Sequence, residues 1–315
     1  MTIRRVLQAS AICALLLGCA ERAPAPQPII DIHLHAFAYD AYGSPAPPNE
    51  MTGLVPHFDS DSAAMYALFD TLRHYNVVRA VASGPLAQVQ KWRAANRDVI
   101  MGGAYTGPRD SLLPLAEIEQ LVTAGELQVL GELGLQYRGL APAAPELAPY
   151  WNYAAAHKIP VAIHTGLSDS GTPFDCCPRF RARLGNPLLL EDVLVQHPGL
   201  RVNVMHAGYP FLEETKALLT IYPDVYVDVG VINWAIPRAE FHGYLKALVD
   251  AGFANRVMFG SDQMVWPEAI GLAIEGIKSA TFLTAAQKQG IFYDNAARFL
   301  RLTPAEIARD RAAVR

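Results

Sequence analysis

Residues 201–229, RVNVMHAGYPFLEETKALLTIYPDVYVDV, hold one complete β–α–β unit. An apolar, β-branched run (201–206) leads into a stretch with apolar residues at helical spacing (211–221), and a second β-branched run (225–229) follows. Both runs are nearly continuous in apolar character, as strands covered on both faces are; half-solvated strands alternate instead. The pattern repeats in both directions. Strands are predicted at 29–33, 77–82, 99–104, 128–133, 160–164, 201–206, 225–229 and 256–260. Helices are predicted between them at 61–75, 86–95, 112–124, 145–157, 187–197, 211–221, 238–251 and 267–279, with two more at 284–299 and 303–313. Eight βα repeats over about 250 residues predict an α/β (β/α)8 TIM-type barrel with extra C-terminal helices. A doubly wound open sheet is the alternative, because strand order is not written in one sequence. No boundary interrupts residues 29–315, which are read as one domain. The enlarged loops 36–60 and 165–186 each follow a strand and so belong to the mouth of the barrel.

The chain has 315 residues, 51% of them hydrophobic and 18% charged, with 26 Lys+Arg against 30 Asp+Glu. That apolar fraction excludes intrinsic disorder, and four Cys in so long a chain exclude a disulfide scaffold. No basic run interleaved with aromatics occurs, so the expected partner is a small molecule and not a nucleic acid.

Arg4 and Arg5 precede an apolar run over residues 6–17, shorter than the roughly 20 residues of a spanning helix, so residues 1–18 read as a secretory signal. Its end, Leu16-Leu17-Gly18-Cys19, resembles a bacterial lipobox, which implies lipidation of Cys19 and an exported, membrane-anchored lipoprotein, periplasmic or at the cell surface. An ordinary signal cut near Ala20 is the alternative. Residues 19–28 are polar and proline-rich and read as a tether. Without residues 1–18 the chain carries 24 basic and 30 acidic side chains, a charge of −6. Cys13 leaves with the signal, so only the neighbours Cys176 and Cys177 remain beside Cys19. Adjacent cysteines rarely pair; a loop feature without catalytic consequence is expected, with a vicinal disulfide as the alternative.

Polar residues fall at the strand ends. His33 and His35 are two apart, so a strand presents both on one face. His164 ends the fifth predicted strand, His206 the sixth, Glu132 lies at the end of the fourth and Asp262 follows the eighth. In a closed barrel all six reach one mouth. Imidazole and carboxylate ligands suit zinc or another first-row divalent ion, and such an ion lowers the pKa of its water toward about 7. Hydroxide on the metal would attack a carbonyl, and Asp262, touching metal and water, would shuttle the proton.

The segments IIDIHLHAF at 29–37, AIHTG at 162–166, NVMHAGYP at 203–210, FGSD at 259–262 and YDNAARFL at 293–300 together resemble the amidohydrolase superfamily. They lie closest to its amidohydrolase-related branch, which holds aminocarboxymuconate semialdehyde decarboxylase and several lactone hydrolases. The resemblance implies a metal-dependent barrel in which His33, His35, His164 and Asp262 bind a divalent ion. His206 is then a further ligand or the residue that polarises substrate. One segment departs from that branch: Gly131-Glu132-Leu133-Gly134-Leu135 is similar to the GExGL of TatD-like deoxyribonucleases, whose glutamate bridges metals. If Glu132 binds, two ions become possible; otherwise it orients a ligand histidine. Arg138 is a weak candidate for holding a substrate carboxylate, and Trp234 for lining the pocket, each weighed against a plain structural role. Asp228, inside the seventh strand, can face a helix instead and is set aside.

Three functions remain open: a hydrolase of an ester, lactone or amide, which is favoured; a decarboxylase of a small unsaturated or aromatic acid; and a lipid-anchored binding protein without chemistry. Nuclease action is disfavoured because an acidic mouth repels phosphate backbones.

Overall fold

The computed structural model describes residues 26–314. The predicted signal, Cys19 and most of the tether lie outside the described residues.

Eight strands follow one another: β1 (Ile29–His35), β2 (Val77–Ser83), β3 (Ile100–Gly102), β4 (Leu130–Leu133), β5 (Val161–Ile163), β6 (Val202–Val204), β7 (Val225–Asp228) and β8 (Val257–Met258). The helices of the first half are α1 (Asp61–His74), α2 (Leu86–Ala95), α3 (Leu115–Thr123), α4 (Ala148–Ala156), the single turn α5 (Thr172–Asp175) and α6 (Glu191–Gln196). In the second half come α7 (Leu212–Ile221), α8 (Ile232–Ala235), α9 (Arg238–Asp250), α10 (Glu268–Lys278), α11 (Ala285–Gln289), α12 (Asn295–Leu300) and α13 (Pro304–Ala312).

Strands β1 to β3 pair in chain order, and so do β4 to β8, all in parallel. Single bridges join the two sets. Gly103 pairs with Val129 and Thr106 with Leu133 on one side, and Leu34 pairs with Gln263 on the other. Across the second seam Ile32 N donates to Phe259 O at 3.0 Å and Asp262 N to His33 O at 2.7 Å. Sequential parallel strands with the last bonded to the first form a closed barrel, which removes the open-sheet alternative.

Strand β1 does two jobs because it slips. Asp31 faces Ala80 but Leu34 faces Ala82, so one extra residue lies on β1 between those pairs. Strict alternation would send Ile32 and His33 to opposite faces; a bulge lets neighbours share one. Ile30 and Ile32 join a cluster with Val81, Val129, Ala162, Met205 and Met258, drawn from strands around the barrel, while Ile29 and Leu34 belong to the larger core under the helices. The helix predicted at 284–299 is divided by a π-helical turn, Gly290–Asp294, between α11 and α12. The Ile291 carbonyl is diverted there to accept from Phe259 N at 2.8 Å, so the helix gives up regularity to hold the end of β8.

The C-terminal helices are locked to the barrel by charge. Asp310 of α13 accepts from Arg79 Nε of β2 at 2.7 Å and from the Tyr293 hydroxyl at 2.8 Å, with both charged groups buried. Asp310→Ala leaves buried Arg79 with only the Glu306 carboxylate, 3.7 Å from Nη1, and is expected to cost about 3 kcal/mol of folding stability. Urea denaturation would read this, and a midpoint like that of the parent chain would contradict it.

Two adjacent cysteines do pair: Cys176 and Cys177 form a disulfide in the segment after β5. The vicinal alternative holds, and the expectation of an unpaired loop feature is corrected.

Candidate metal centre

All six predicted ligands meet. His33 and His35 close β1, Glu132 lies in β4, His164 follows β5, His206 sits in the 3-10 turn Met205–Gly208 after β6, and Asp262 follows β8. Each is between 1% and 8% exposed, so six ionisable side chains share one buried site. Such a set is tolerated only when its members satisfy one another or a cation. Backbone strain contributes to the placement. His206 (φ +57°), Ala207 (φ +51°) and Asp262 (φ +50°) occupy the left-handed region, which costs a non-glycine residue roughly 1–2 kcal/mol. Gly230 permits close approach, because a Cβ there would lie 2.8 Å from His33 Nδ1 and 2.9 Å from Asp228 Oδ1.

The contacts divide around Glu132. Its Oε2 lies 3.0 Å from His35 Nε2 and 3.3 Å from His33 Nε2, and Asp262 Oδ1 is at the same distances from the same two nitrogens. Its Oε1 faces the other pair, 2.6 Å from His164 Nδ1 and 4.0 Å from His206 Nε2, and those two nitrogens are 3.0 Å apart. Ligands bound at about 2.1 Å around one ion are separated by roughly 3.0–3.4 Å when adjacent. The donor set therefore fits a divalent cation, and its atoms fall into trios, His33–His35–Glu132 and Glu132–His164–His206 among them.

The outer nitrogens set the tautomers. His33 Nδ1 lies 3.1 Å from Asp228 Oδ1, His35 Nδ1 3.3 Å from Ser83 Oγ, His206 Nδ1 3.0 Å from Gly230 O, and His164 Nε2 3.2 Å from Leu167 O. A proton on each outer nitrogen leaves a lone pair on the inner one, as ligation requires. Asp228 thus faces the site and not a helix, and is itself held by Gly230 N and Asn203 Nδ2, both at 2.8 Å.

Without a cation, protons occupy the centre. Burial pulls the His35 imidazole down, but the Asp262 and Glu132 carboxylates outweigh it and push it up to about 9. His33 is likewise held well above its usual value, against burial, by Asp262 and Asp228. Burial would raise Glu132, yet hydrogen bonds from His164, His33 and His35 hold it well below the usual carboxylate range. Asp262 is lowered in the same way, burial being overcome by His33 and His35, whereas burial and then His164 lower His206.

The two weaker candidates stand elsewhere. Arg138 Nη1 donates to the Asp110 carbonyl at 3.2 Å, outside the cluster. Trp234 is packed in the core with Nε1 donating to Ser261 O at 2.8 Å, so it supports the turn carrying Asp262. Aromatic rings flank two of the ligands: Phe37 stacks on His35 at 4.6 Å, Tyr105 meets it edge-on at 5.6 Å, and Tyr137 lies 5.0 Å from His164.

A closed (β/α)8 barrel with imidazoles and carboxylates converging beyond its strand ends defines a metal-binding barrel of the amidohydrolase type. The chain belongs to the amidohydrolase family, whose sequence model matches residues 30–302. Its fold is similar to an uncharacterised TIM-barrel protein of Bordetella bronchiseptica (TM-score 0.61, 16% identity, 90% of this chain and 100% of that one). It is also similar to a probable 2-pyrone-4,6-dicarboxylic acid hydrolase of Acinetobacter baumannii (TM-score 0.59, 15% identity, 88% of this chain and 100% of that one). A third is 5-carboxyvanillate decarboxylase of Sphingomonas paucimobilis (TM-score 0.56, 16% identity, 88% and 99%). At these identities the likeness establishes the fold. Protein fluG of Emericella nidulans is 26% identical over 121 residues, a stretch covering 38% of this chain and 13% of that relative.

Proposed function

We propose that the protein is a metal-dependent hydrolase of a small-molecule ester, lactone or amide. The observation that carries this is the division of contacts around Glu132, one oxygen toward His33 and His35 and the other toward His164 and His206. One carboxylate serving two histidine pairs supports two divalent ions, zinc being the first candidate for imidazole and carboxylate donors. Bound there, such ions supply Lewis acidity for a carbonyl and acidify water.

The chain's own groups do the rest. Asp262 sets Oδ1 against His33 and His35, while its Oδ2 lies 3.7 Å from His206 Nδ1. Oδ2 therefore accepts the proton of attacking water and returns it to the leaving oxygen or nitrogen. Its lowered pKa keeps the carboxyl in the accepting form at neutral pH. His206, fixed through Nδ1 on the Gly230 carbonyl, directs Nε2 into the centre as a ligand. The buried walls exclude bulk water and strengthen these electrostatic contacts.

Screening the zinc-loaded protein on esters, lactones and amides tests the reading. Hydrolysis that a chelator abolishes and zinc restores is expected. Carbon dioxide release from an aromatic acid, with no hydrolysis of any carbonyl substrate, would overturn it.

A further inference from the structure

A chain of hydroxyl groups links the His164 ring to the segment that bears the disulfide. His164 directs Nδ1 to Glu132 and His206; with a metal on Nδ1 its proton would be on Nε2, which has Leu167 O at 3.2 Å and Tyr137 Oη at 3.3 Å. At the far end Thr172 Oγ1 lies 2.7 Å from the Asp169 carbonyl, which can only accept. Thr172 Oγ1 also donates toward Ser168 Oγ at 3.0 Å, so its one hydroxyl proton is shared between two acceptors. Ser168 Oγ in turn lies 2.9 Å from the Tyr137 hydroxyl, where either group can donate to the other, and Tyr137 Oη lies 3.3 Å from His164 Nε2. The contacts thus run without a break from Thr172 to the His164 ring.

Thr172, the last hydroxyl, is held through its carbonyl by the backbone of the disulfide pair. Its carbonyl accepts from Cys177 N at 3.0 Å and from Cys176 N at 3.3 Å, two consecutive amides turned the same way. Cys177 is buried, whereas Cys176 is exposed at the surface.

We propose that the Cys176–Cys177 disulfide is a redox-reversible staple that seats Tyr137 against His164, and that its reduction loosens the metal centre. This rests on His164 being a metal ligand. A dithiol attacks as thiolate at the exposed Cys176 sulfur; the S–S bond breaks, and Cys177 leaves as thiolate and takes up a proton. The second thiol of the reductant then displaces Cys176. Two electrons pass to the cystine, giving two cysteine thiols, and the dithiol becomes its own disulfide. The backbone at 176–177, freed from the small ring, regains the conformations that the Thr172 clamp excludes. Tyr137 is a positioning residue, acting through His164.

The test is zinc affinity of the full chain by competition with a chelator, measured for the oxidised parent, Cys176→Ser/Cys177→Ser, Tyr137→Phe and their combination. Loss of an outer partner of a ligand histidine costs roughly 10–100-fold in metal affinity. With Leu167 O still accepting, about tenfold is expected for each, and the combination should lose no more than either alone. The cobalt-loaded Ser/Ser variant should show a changed absorption spectrum. Reducing the parent with a dithiol, removed under nitrogen, needs no refolding and should reproduce the loss, with no further effect in Tyr137→Phe. Unchanged affinity after both treatments, or losses that multiply, would overturn the staple while leaving the metal centre intact. Failure of the oxidised parent to bind zinc would overturn both.

Discussion

Asp262→Asn is expected to lower turnover by about 10²–10⁴-fold, the range supplied by a positioned general base. Asn keeps the size of the side chain and an oxygen for the ligand set, so the barrel and most of the bound metal should survive; what is lost is an oxygen that can hold a proton. The residue is difficult to substitute without effect because its backbone is in the left-handed region, which Asn tolerates better than other side chains do. Circular dichroism and metal content should therefore match the parent while the rate collapses. A variant that retains more than about a tenth of parental turnover with metal bound would exclude Asp262 as the proton acceptor.

The second large effect is that of pH on metal affinity. In the metal-free protein the His35 imidazole is raised to about 9, so at neutral pH it carries a proton on the nitrogen a cation would use. His33 is raised as well. Cation and proton compete for the same lone pair, and the proton gains as pH falls. Affinity should therefore drop on acidification, by about tenfold per pH unit for each proton displaced, or at least about 100-fold between pH 8 and pH 6. Calorimetry in buffers of different ionisation enthalpy would count the protons released. Affinity that is flat across that window would show that the inner nitrogens already stand free. The same raised values bear on stability without metal. A group whose folded pKa exceeds its unfolded value adds stability below the unfolded pKa, near 6.5 for His, and loses it as pH rises toward about 9.

Much of the site was legible because its chemistry repeats a geometric rule. His33, His35, Glu132, His164, His206 and Asp262 each stand at or just past a strand end, and a closed barrel gathers such positions whatever its loops do. The supports were harder to read. Two of the four outer partners are the carbonyls of Leu167 and Gly230, and a backbone oxygen has no side-chain identity to betray it. Ser83 is an unremarkable residue until His35 is beside it, and Asp228 inside β7 could have faced either way. Its place at the last position of β7, with Gly230 two residues on, was the available signal. The slip in β1 and the π-helical turn before α12 depend on partners distant in sequence, Ala80 and Ala82 for the first and Phe259 for the second. Trp234 was open to two readings, because an indole near a strand end can line a mouth or pack and brace it; here it is packed, with its Nε1 on the Ser261 carbonyl.

Central to the proposed function is that these six side chains would hold two divalent ions, Glu132 serving both histidine pairs. Metal content per chain, measured by mass spectrometry on protein purified without chelator and incubated with zinc, tests it most directly. About two ions per chain are expected, falling to about one or fewer in Glu132→Gln, because an amide presents only one ligating oxygen and no charge. One ion or none in the parent chain, or a count that Glu132→Gln leaves unchanged, would contradict it.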